Sequence, residues 1–63
     1  MKNKRIRLAM GAHGLKQWEA AEALGILETS FSRKLRHELP EDEQNRIIAV
    51  IEQIATEREG MNG

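Results

Sequence analysis

Four residues, Leu24-Gly25-Ile26-Leu27, constrain this chain more than any others. Before them, Gln17 to Leu24 is a run of Ala, Glu and other good helix formers. After them, Thr29 to Arg36 sets Phe31 and Leu35 one helical turn apart on one face. A glycine directly after a helix can take the left-handed conformation that ends it, and Ile26 can then fold back onto the finished helix. Two helices joined so tightly must cross steeply, and Ala20 and Ala21 are small enough to let them touch. The pattern is the outline of a helix-turn-helix.

The rest of the chain supplies two more helical segments. Residues 2 to 12 read as a first helix, with Ile6, Ala9 and Met10 on one apolar stripe and Leu8 off it. Gly14 is its expected stop. Lys2, Lys4, Arg5 and Arg7 crowd its start, where the helix dipole disfavours cations by about 0.3–1 kcal/mol each. They form either a phosphate-facing arm or a solvated helix end. Pro40, followed by Glu41, Asp42 and Glu43, opens a last helix expected over about 40 to 58. On it, Ile47, Ile51 and Ile54 are expected to face the core, leaving Ile48 or Val50 for a partner subunit. Residues 59 to 63 are expected to be disordered.

Sixty-three residues make one small domain, which buries only about 60% of its unfolded surface and is poorly suited to a deep enzyme pocket. There is no cysteine, hence no disulfide framework and no thiolate metal site. His13 and His37 are too far apart in sequence to suggest a metal site. No nucleophile–base pair or carboxylate pair stands out, so neither enzyme activity, a cofactor nor a small-molecule substrate is expected. Apolar residues near the start are broken by charge, unlike a signal peptide, and no apolar run is long enough for a membrane span; a cytoplasmic protein is the expectation. The net charge is zero but segregated. Residues 1 to 37 carry eight Lys and Arg against three Glu, a net +5; residues 38 to 63 carry two Arg against seven acids, a net −5. Such a split points to a partner for the basic half.

Gly14, Leu15, Gln17, Ala21, Gly25 and Ile26, with Phe31 as the apolar anchor of the following helix, resemble the DNA-binding domains of phage-repressor-like regulators, the xenobiotic-response-element family. Trp18-Glu19-Ala20-Ala21, Leu24-Gly25-Ile26, Phe31-Ser32-Arg33-Lys34-Leu35 and Glu38-Leu39-Pro40-Glu41 are similar to the text of its small stand-alone members in Gram-positive bacteria and their mobile elements. The similarity covers roughly residues 5 to 55. It implies an all-α, compact four-helix, lambda-repressor-like DNA-binding domain over residues 1 to 58, with helices two and three as the helix-turn-helix. It further implies a sequence-specific transcriptional regulator that binds double-stranded DNA.

The resemblance also assigns roles. Glu28, Thr29 and Arg33 fall on base-reading positions; Gln17 and Ser30 fall on backbone-contact positions. The chemistry is suitable: Arg33 can grip guanine O6 and N7, Glu28 can accept from cytosine N4, and the Thr29 methyl can meet a thymine methyl. Ser32 on the outward face, with Lys16, Lys34 and Arg36, would serve the backbone, the cations neutralising phosphates without reading sequence. Three positions depart from the family pattern. Lys16 and Leu27 stand where Ser or Thr usually caps a helix, and Lys34 stands where an apolar residue is usual. An uncapped start at Lys16 would leave an open anion site. At the third helix, either Thr29 caps one turn late or the start is loose. Trp18 either lies against the core or flanks the DNA backbone. A dimer through Ile48 or Val50 would place two recognition helices about 34 Å apart. The alternative is a protein-interaction module of the same fold, docking a larger regulator or recombinase through its last helix.

Overall fold

A computed structural model describes residues 2 to 62, and among them the regular structure is entirely helical. The elements are α1 (Lys4–Ala12), α2 (Gln17–Leu24), α3 (Glu28–Lys34) and α4 (Glu41–Asn62). Helices α1 and α2 pack on the long α4, and α3 packs on α2. At about 1.5 Å per residue, the 22 residues of α4 span roughly 33 Å and account for most of the 37 Å long axis.

The first two turns use the same device. Gly14 and Gly25 both have positive φ, +62° and +75°. In each case the glycine N–H donates three residues back, to Gly11 or Glu22, and the next N–H donates five back, Leu15 to Met10 (2.8 Å) and Ile26 to Ala21 (3.0 Å). This is the Schellman arrangement, which satisfies carbonyls at the helix end and turns the following residue inward. Leu15 is accordingly buried, and Ile26 packs against the core. The fold-back expected at Gly25 is therefore present, and Gly14 repeats it.

Ile6, Met10, Leu15, Ala20, Ala21, Phe31, Leu35, Ile47 and Ile51 form the core. Each large apolar side chain buried here contributes about 1.5–3 kcal/mol relative to exposure. Ala20 and Ala21 are both buried, which keeps the α2 backbone close to its neighbours. On α4, Ile47 and Ile51 face the core as expected, but Ile54 is only partly buried and Ala55 is buried in its stead. Ile48 packs against the core while keeping part of its surface exposed, and Val50 lies outside the cluster.

Two boundaries differ from the sequence reading. Helix α1 begins at Lys4 rather than residue 2. Helix α4 continues through Asn62, so the disorder expected from residue 59 is not seen as far as that residue, and Gly63 lies outside the described residues. Arg58 of α4 pairs with Glu19 of α2, a contact that ties this end of the helix to the body.

Asn3 is what holds the start of the chain. Its φ is +57°, a left-handed conformation that Asn tolerates better than most residues. Its side chain is fully buried (0% exposed), and its Nδ2 donates to the carbonyls of Leu35 (3.0 Å) and His37 (2.8 Å). Its Oδ1 accepts from the Leu39 N–H at 2.8 Å. The Asn3 backbone N–H donates to Glu38 Oε1 at 2.7 Å, while Gln44 Nε2 donates to Glu38 Oε2 and to the Leu39 carbonyl. One buried amide thus ties the first turn to the whole link between α3 and α4. The two hydrogen bonds, first from the Asn3 backbone and then from Gln44, hold the Glu38 carboxyl below its ordinary pKa.

Candidate nucleic-acid interface

The seven residues of α3 are anchored by Phe31 and Leu35, both buried. At about 100° per residue, the direction opposite those anchors falls on Thr29 and Arg33, with Arg36 in the following turn close to the same direction. All three are exposed, as is Glu28 in the first turn. The geometry therefore gathers Thr29, Arg33 and Arg36 on one solvent-facing surface, with Glu28 at its leading end. Ser30 and Ser32 are half-buried at its flanks.

Lys34 has another partner. Its Nζ lies 2.9 Å from Glu43 Oε2 on α4. Lys34 is thus a cation bridging α3 to the acidic start of α4. Its ammonium is not free for a phosphate unless this exposed, weak pair opens.

The start of α2 also differs from expectation. Lysine has no acceptor atom, so Lys16 caps nothing with its side chain. The return half of a capping box is present: Glu19 Oε1 accepts the Lys16 N–H at 3.0 Å. Because Glu19 brings a carboxylate to this helix end, the site is not the open anion site expected of an uncapped start. Pairing with Arg58 offsets part of that negative charge. Lys16 is exposed and Gln17 half-buried beside it.

At α3, Thr29 does not cap a late start. The helix begins at Glu28 with Leu27 as its cap residue, and the Phe31 N–H donates to the Leu27 carbonyl at 3.0 Å. The Leu27 side chain is 72% exposed. Sequence reasoning treated Leu27 as a missing cap; it is instead an apolar group standing in solvent beside Glu28 and Thr29. The only signal for this was a leucine at a position where polar residues serve best. Trp18 is 50% exposed and lines a hollow with Ala23 and Ile54, so one half of its surface is covered by the body and the other faces solvent.

Near the chain start, Arg5 donates to Asn45 Oδ1 on α4 (2.8 Å) and Arg7 to the Lys2 carbonyl (3.1 Å). Both cations are exposed; Arg5 is held against α4, whereas the bond of Arg7 is local to the chain start. Among the described residues, no grouping of His, Asp and Glu suits a metal ion, and no helix is long and apolar enough to cross a membrane. Compared with protein-family models, curated proteins and solved structures, the chain matches none.

Proposed function

We propose that this protein binds double-stranded DNA sequence-specifically, as a transcriptional regulator of the phage-repressor-like kind, with α3 in the major groove. The observation that carries this reading is a short helix anchored by Phe31 and Leu35 whose opposite face exposes Thr29, Arg33 and Arg36. A major groove admits one such helix, and its first residues and a mid-helix residue reach base edges. Arg33 and Glu28 supply hydrogen bonds to bases. Leu27 and Thr29 supply apolar contacts to thymine methyls. Lys16, Gln17, Ser30, Ser32 and Arg36 hold the backbone, and Lys34 joins them only when it leaves Glu43.

Selection of bound sequences from a random DNA pool, followed by affinity measurements on the winner, tests the division of labour. Arg33→Ala should cost about 1–3 kcal/mol and relax the preference at one base, whereas Arg36→Ala should weaken every sequence alike. Equal losses from both changes on all sequences would refute it. A second reading, a protein-interaction module acting through α4, is favoured by the groove that α2 and α4 leave open around Ala23, Val50 and Ile54. A gel shift on random genomic fragments at low and high salt separates the two.

A further inference from the structure

Two surfaces of this chain have no partner within it, and they complement each other. The first is a groove between α2 and the second half of α4, made of two adjoining hollows of about 280 Å³ each that share Ala23 and Ile54. Trp18 and Val50 complete its apolar lining; Glu22, Gln53 and Glu57 line it too, as does Glu19, which is paired with Arg58. Neither Glu22 nor Glu57 makes an ion pair among the described residues. The second is a knob on α1. Leu8 is 59% exposed, and its neighbours one turn on are Gly11 and Ala12, so nothing large shields it. Lys4 lies one turn before it and Arg7 beside it, the latter held by its bond to the Lys2 carbonyl.

We infer that a second copy of this chain seats its Leu8 knob in the α2/α4 groove, head to tail. Lys4 and Arg7 of one copy then face Glu22 and Glu57 of the next, cations against carboxylates that no ion pair within the described residues engages. A two-fold dimer through the groove is disfavoured, because it would set Glu22 and Glu57 of both copies against each other. A head-to-tail contact leaves one knob and one groove open at the ends, so it propagates or closes into a ring. No residue of α3 belongs to either surface, and α3 stays exposed along the assembly. Cooperative filling of adjacent DNA sites would follow, a consequence that rests on the DNA-binding reading; the contact itself does not.

Sedimentation velocity without DNA at low salt, with Trp18 emission as a probe inside the groove, tests the contact. From about 10 μM to about 1 mM, the range for a contact this small, the weight-average mass should rise at least about twofold and Trp18 emission should shift to the blue. Leu8→Glu, at an exposed position, should stay monomeric with unshifted emission. Lys4→Glu with Arg7→Glu in one chain, and Glu22→Lys with Glu57→Lys in another, should each be monomeric. Mixing these two folded double variants should restore association. A wild type that remains monomeric at about 1 mM overturns the inference. So does a Lys4→Glu/Arg7→Glu chain that associates like wild type, which would indicate a two-fold dimer, or a mixture that stays monomeric. A wild type that associates as expected but binds no DNA, or α3 variants that bind DNA as well as wild type, would defeat the DNA reading alone.

Discussion

Replacing Asn3 with alanine isolates the bond network that joins the start of the chain to the α3–α4 link. The substitution removes three side-chain hydrogen bonds, to the Leu35 and His37 carbonyls and from the Leu39 N–H. At about 1 kcal/mol net for each, that is about 3 kcal/mol. Alanine must also adopt the left-handed φ of +57°, at about 1–2 kcal/mol more. A domain of this length has roughly 3–9 kcal/mol of stability, so a loss of about 4–5 kcal/mol leaves it close to unfolding. Asn3→Gly loses the same bonds but adopts the backbone conformation freely; allowing for glycine's greater unfolded-state entropy, it should be the more stable of the two by about 1 kcal/mol. Urea titrations followed by circular dichroism measure both. An alanine variant within about 1 kcal/mol of wild type would refute the reasoning, because the network would then contribute less than a single ordinary bond.

Other outcomes follow from single contacts. The Glu38 carboxyl is held below its ordinary pKa by the Asn3 N–H and Gln44, so its contribution is complete above the ordinary carboxylate range and disappears as pH falls through the lowered value. The stability gap between wild type and Glu38→Gln, read from urea midpoints, should therefore narrow on acidification; parallel curves would show that the bonds do not discriminate between the protonation states. Gly11→Ala, in a helix with open space at the added Cβ, should stabilise by about 0.5–1 kcal/mol, while Gly14→Ala at φ +62° should destabilise by about 1–2 kcal/mol in the same thermal melts. Glu43→Gln releases the Lys34 ammonium and should change stability by under about 1 kcal/mol. If DNA is the ligand, it should also steepen the slope of log K against log salt by about 0.9, measured by fluorescence anisotropy.

The parts of this fold that follow from local chemistry were legible in the residues. Gly14 and Gly25 announce left-handed helix ends because almost no other residue takes that conformation without strain. Phe31 and Leu35 announce the buried face of α3 by spacing alone. Asn3 was not legible: its partners lie 32 to 36 residues along the chain, and no periodicity relates them. Its one signal was an asparagine just before a helical stripe, a residue type suited to caps and left-handed backbone, yet here it caps no turn of its own helix. The reach of α4 to Asn62 was missed for a similar reason. Between Ala55 and Met61 no apolar residue announces further packing, and the Arg58–Glu19 pair that ties the end arises only once α2 lies alongside. Of the candidate site, the exposed Thr29, Arg33 and Arg36 followed from the anchor spacing. The Lys34–Glu43 pair and the exposed Leu27 depended on where α4 and the turn came to lie.

The two matched glycine turns bear on how small the working unit can be made. Each of the first three helices has nine residues or fewer, well under the roughly 12–15 at which an isolated helix becomes even marginal in water. A synthetic peptide spanning 28 to 36 would consequently be an unstructured chain, and lengthening it by a turn or two would not rescue it. The surface presented by Thr29 and Arg33 is on loan from Phe31's burial against the remaining helices, so it can be transplanted only by moving the whole bundle.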